Sequence, residues 1–180
     1  MNFTKNFELA NTRLWKHNWR VRLKEWWGDL RFALPVVYSD GLISKSKKYL
    51  IGRTPVGIMV GNVIVLLNIP KETKTFAEAE LFCDNIWFAG RKAVVGRFNQ
   101  MCRINRRIND FCDVYFELTQ QRFIRDYFWT RDFLSQRERR VLHMNGMPTY
   151  YTYSARPDKD LYVMPVIDLK DFSTLLRVAS

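Results

Sequence analysis

Residues 91–107 carry Arg91, Lys92, Arg97, Arg103, Arg106 and Arg107 and no acid. Guanidinium and ammonium groups at that density suit phosphate oxygens, which they meet through charge-assisted hydrogen bonds. Further on, Arg122, Arg125 and Arg140 flank Trp129. An indole among arginines suits a nucleobase stacked on the ring while the guanidinium groups hold phosphates. Packing of Trp129 inside the protein is the competing reading, and the commoner one for so large a side chain. SKSKKY (44–49) adds Lys45, Lys47 and Lys48 as an auxiliary site on a basic loop. Over the whole chain, 29 Lys+Arg against 18 Asp+Glu give a formal net charge of +11, which favours a polyanionic partner.

Other chemistry is thinly represented. P-loops, dinucleotide fingerprints, nucleophile elbows and zinc signatures are missing, so the expectation is a non-catalytic chain without a cofactor. Glu78, Glu80 and Asp84 lie close together, and Glu80 and Asp84 are one helical turn apart. A solvated acidic face accounts for them as well as a divalent cation does. Cys83, Cys102 and Cys112 lack metal-ligand spacing, and the two histidines, His17 and His143, are far apart, so free thiols in a reducing compartment are expected. Pro157-Asp158 followed by Asp168-Leu169-Lys170 resembles the PD-(D/E)xK nuclease motif, in which two acids hold a metal ion and the lysine assists attack. The resemblance implies a metal-dependent nuclease as an alternative function. Geometry opposes it: along one extended strand, Asp158 and Asp168 would stand roughly 30 Å apart.

These side chains need elements to position them. At 180 residues and 47% hydrophobic composition the chain is read as one domain, 1–180, with a core of its own. The expected class is α+β: antiparallel hairpins packed with a Trp-rich N-terminal helix and a long central helical segment. FALPVVY reads as a strand before the turn Ser39-Asp40-Gly41. VGIMVGNVIVLLNI (56–69) reads as a hairpin turning at Gly61-Asn62 and is too short to span a bilayer. Thr75 opens a capping box with Glu78, so TFAEAELFCD reads as a short helix. IWFAGRKAVVGRF (86–98) reads as a second hairpin turning at 89–92.

The central segment, about 99–144, reads as helix with a break near Gln120. Met101, Ile104, Ile108, Phe111, Tyr115 and Leu118 fall on one stripe at about 100° per residue, with Arg103, Arg106 and Arg107 opposite. The bland account of those arginines is a wet face with pairs such as Arg106–Asp110. A helix starting near Asn99 would place them in its first turns, against the macrodipole preference. In the second half, Phe123, Ile124, Tyr127, Leu134, Val141 and Leu142 form the apolar face. TYYTYS and LYVMPVID read as a third hairpin about Arg156-Pro157-Asp158, and residues 170–177 as a short C-terminal helix.

Residues 11–30 read as the Trp-rich helix, holding Trp15, Trp19, Trp26 and Trp27 beside Arg20 and Lys24. Such a helix closes a core, lies on an anionic membrane as a peripheral anchor, or binds a partner chain. Its aromatic area suits burial against other subunits. The leading expectation is therefore a basic binding or assembly protein contacting nucleic acid or acidic protein surfaces. It would be a subunit of a virus or phage particle or a ribonucleoprotein. With no signal peptide or transmembrane segment legible, it is expected to be intracellular (cytoplasmic) or within a viral particle.

Overall fold

The computed structural model describes residues 31–147 and 153–169, and the backbone of 177–178. The Trp-rich helix expected over 11–30, with Trp15, Trp19, Trp26, Trp27, Arg20 and Lys24, lies outside the described residues, as do 170–176.

The described residues form a mixed α+β fold with antiparallel strands. β1 (Arg31–Tyr38) and β2 (Leu42–Ser46) form a hairpin around Gly41, and β3 (Pro55–Val60) and β4 (Val63–Leu66) form a tighter one. The second turns at Gly61-Asn62, with Gly61 at φ 62°. A type II′ turn needs positive φ at its first central residue, which glycine supplies without a Cβ clash. Helix α1 (Phe76–Asp84) follows, then the short strands β5 (Trp87–Phe88), β6 (Arg91–Lys92) and β7 (Val94–Val95). Helices α2 (Phe98–Arg106) and α3 (Ile108–Thr119) come next. The chain continues through β8 (Tyr127–Phe133), β9 (Arg139–His143), β10 (Tyr153–Ala155), β11 (Pro165–Asp168) and β12 (Arg177–Val178).

A seven-stranded sheet runs in the order β12-β2-β1-β3-β4-β11-β7, antiparallel apart from the β12–β2 pair. Its central strands are buried on both faces. Along β4, Val63 and Val65 join one core with Met101, Ile104, Ile108 and Phe111 of α2 and α3. Ile64 and Leu66 join a second core with Phe76, Ala79 and Cys83 of α1. Period-two alternation thus feeds two cores from one apolar run. A smaller sheet, β10-β9-β8, contributes Phe128 and Leu142 to the first core and Trp129 and Val141 to the second.

The capping box is present. Glu78 N–H donates to Thr75 Oγ1 at 3.4 Å, and Thr75 N–H donates back to Glu78 Oε2 at 2.9 Å. Thr75→Ala is expected to cost about 1 kcal/mol, measured by urea unfolding. The bonds from Thr75 hold the Glu78 carboxyl below its usual range. That contribution is present above the unfolded carboxyl pKa and is lost as pH falls through the depressed folded value. The deficit of Thr75→Ala should therefore shrink in acid.

Four expectations are corrected. The central segment is not helical to 144. Helix ends at Thr119, with Gln120 left-handed at φ 57°, and residues 127–143 are the β8–β9 hairpin. Aromatic and β-branched YFWT favours strand, and pairing with Arg139–His143 outweighs the helical spacing of the apolar residues. The third hairpin does not form: β10 pairs with β9, while β11 lies between β4 and β7. Residues 44–49 are not a loop but the end of β2 and a 3-10 turn. Arg177, expected in a helix, is in β12.

Candidate polyanion interface

The stripe read from α2 and α3 is the buried one. Met101, Ile104, Ile108, Phe111 and Tyr115 are in the core, Leu118 is half-buried against it, and Arg103, Arg106 and Arg107 are exposed. Gln100 and Asn105 are also buried, and each is satisfied. Gln100 accepts from Arg97 N–H at 2.9 Å and donates to Asp168 at 2.8 Å. Asn105 accepts from Gly146 N–H at 2.8 Å and donates to the Met147 carbonyl at 3.1 Å.

The helix breaks at Arg107, and that changes the electrostatic account. Arg103 and Arg106 occupy the last turn of α2, where the macrodipole favours cations, and Asp110 opens α3, where it favours anions. The conflict expected from a single helix beginning near Asn99 is therefore removed for Arg103 and Arg106. The pair that forms is Arg107–Asp110, not Arg106–Asp110, because the break moves Arg107 beside the first turn of α3. Arg103 donates to Asn62 Oδ1 at 2.7 Å, and the same amide donates to Asp168 at 3.5 Å. Arg97 precedes α2, where a cation is disfavoured, and Asp132 offsets it by accepting from Phe98 N–H.

Part of the basic charge is answered internally. Lys92 lies 3.7 Å from Asp84 and 5.6 Å over the Trp87 ring. Its neighbour Arg91 sits in β6 opposite Phe88. Lys47 pairs with Glu117 at 2.8 Å, and Lys48 lies over Tyr49 at 4.8 Å. Lys45 is exposed on β2. Arg53, which the sequence reading did not single out, pairs with Asp40 at 2.9 Å.

Trp129 is not a stacking platform. It is fully buried, edge-on to Phe76 at 5.5 Å, and its indole N–H donates to the Lys74 carbonyl at 2.8 Å. Arg122 is exposed in the loop after α3 and, with Phe123, lines two adjoining clefts of about 610 and 290 Å³. Arg125 donates to Asn109 at 2.9 Å and reaches the Cys112 thiol.

The β8–β9 hairpin gathers cations that the helical reading could not place together. Arg131 N–H donates to the Gly96 carbonyl at 2.9 Å, which sets Arg131 beside Arg97. Arg139 donates to the Arg131 carbonyl at 3.0 Å, and Arg140 lies over the Phe98 ring at 5.4 Å. Burial pulls the Arg139 guanidinium below its usual range, Glu80 opposes that, and Arg131 reinforces it. Strand propensity in Tyr127–Phe133 was the available signal. Leu134-Ser135-Gln136-Arg137-Glu138 carries no glycine or proline to announce the reversal.

Among the described residues, no three of His, Cys, Asp and Glu stand where they could hold a metal ion. Glu80 and Asp84 share a cleft of about 290 Å³ with Arg131, and Lys92 reaches Asp84, so these acids face cations of the same chain. Burial, with the charges of Asp84 and Glu80, pushes the Cys83 thiol up to about 12, which makes it a poor nucleophile at neutral pH. Asp168 ends β11 among amide donors, while Asp158 lies on an exposed turn. The stretch between them is not one strand, since Leu161 bridges to Lys74 before β11 begins. Lys170 lies outside the described residues. No described helix is long and apolar enough to cross a membrane.

No protein-family model matches the chain, and no curated protein matches it either.

Proposed function

We propose that the chain is a non-catalytic binding or assembly protein that holds a polyanion, nucleic acid or the acidic surface of a neighbouring subunit, on exposed arginines. One observation carries the reading. Arg97, just before α2, and Arg103 and Arg106, in its last turn, are all exposed, and none forms an ion pair with a described carboxylate. The helix dipole gives Arg103 and Arg106 a structural reason worth about 0.3–1 kcal/mol each, and Arg97 has none. Exposed cations left without an internal carboxylate are available to phosphates or carboxylates of a partner. A particle or ribonucleoprotein subunit is the setting that suits such a surface.

The test is a binding titration with a random-sequence DNA duplex over a range of salt concentrations. Plotted against the logarithm of salt, the logarithm of affinity should fall with a slope near −0.9 per phosphate contacted, so about −3 for three arginines. Affinity should depend little on base sequence. Binding that is absent at low salt, or flat across salt, rejects the nucleic-acid form of the proposal.

A further inference from the structure

Resting on the polyanion reading above, we infer that the β8–β9 hairpin carries a stacking site for a base of single-stranded nucleic acid, with Phe133 as the platform. Phe133 and Arg139 are directly paired across the two strands. The Arg139 guanidinium carbon lies 4.1 Å from the centre of the Phe133 ring and 3.4 Å from that of Phe76. Phe76 is 3% exposed and Phe133 is 61% exposed. The three groups form a stack that begins in the core and ends in an open aromatic ring. The register shifts between Trp129 and Phe133, and such an irregularity re-aims the side chains beyond it.

The stack is preorganised. Arg139 is fixed by its bond to the Arg131 carbonyl and by the rings on either side, so a base settling on Phe133 orders little new structure. Arg131 and Arg137 are exposed on the same hairpin, without an ion pair to any described residue, and would supply the phosphate contacts beside that base. The surrounding acids have other duties. Asp132 accepts from Phe98 N–H, Glu138 from Ser154, and Glu80 and Asp84 line the cleft that Arg131 enters.

Single strands are favoured because bases within a duplex already cover each other's faces. An acidic protein surface would engage the arginines and leave the ring unused. Alanine substitution at stacking aromatics typically weakens binding about 5- to 150-fold per base.

Fluorescence anisotropy with labelled oligothymidylate about ten nucleotides long, a duplex of equal length, and polyglutamate tests this. Phe133→Leu keeps apolar bulk and removes the ring; Phe133→Trp restores a ring. The leucine variant should bind oligothymidylate about 5- to 150-fold more weakly, with the tryptophan variant near wild type and polyglutamate unaffected. Wild-type affinity in Phe133→Leu, with salt-dependent binding intact, overturns the stacking site and leaves the polyanion reading standing. Equal loss for oligothymidylate and polyglutamate also overturns it, since the ring would then be acting through the fold. If no polyanion binds at low salt, both fall together.

Discussion

Trp129→Ala is expected to lower the free energy of unfolding by about 3–5 kcal/mol, the usual cost of deleting a large aromatic from a core. Trp129 has no exposed surface and packs edge-on against Phe76. The loss would come mainly from the cavity. The Lys74 carbonyl that accepts the indole N–H also accepts from Leu161 N–H at 3.0 Å, so it keeps one partner. Trp129→Phe should therefore cost much less, because most of the ring volume survives. Urea unfolding of the two variants measures the difference. A change below about 1 kcal/mol for the alanine variant would contradict the buried placement and return Trp129 to the surface.

Reversing Arg97, Arg103 and Arg106 to glutamate together should weaken oligonucleotide binding about 100-fold near physiological salt, and flatten the salt slope by about 3. Each lost phosphate contact forfeits the counterions it released, and each new carboxylate repels the strand. The fold should survive, since these side chains are exposed and their structural share is the dipole contribution and the Arg103–Asn62 bond. Arg53→Glu is the matched control. It breaks an internal pair with Asp40, changes charge by the same amount per site, and lies outside the proposed surface. Equal losses in the triple variant and in three reversals elsewhere would mean that net charge alone governs binding.

What was legible in the sequence was local. Gly61-Asn62, the Thr75–Glu78 box, and the three-and-four spacing from Met101 to Leu118 each describe a few neighbouring residues, and each has its counterpart in the fold. The failures were about partners. Val166 and Ile167 alternate as a strand should, but alternation does not say that β4 and β7 are the neighbours. Phe123, Ile124 and Tyr127 also fit a helical stripe, and only pairing with His143 and Leu142 decides for strand at residues 127 and 128. The candidate site suffered accordingly. The arginines of α2 were placed on the wet face, whereas Arg131, Arg137 and Arg139 came together only once the hairpin closed. Lys47 and Arg53 found carboxylates that spacing alone did not foretell.

The small sheet threads side chains into both apolar layers, Phe128 and Leu142 to one side and Trp129 and Val141 to the other. It behaves as a rivet. Loss of the β8–β9 pairing would withdraw side chains from both layers at once. A tug applied at the hairpin tip, by a strand or by a neighbouring subunit, would be borne by the whole interior and not by the hairpin alone.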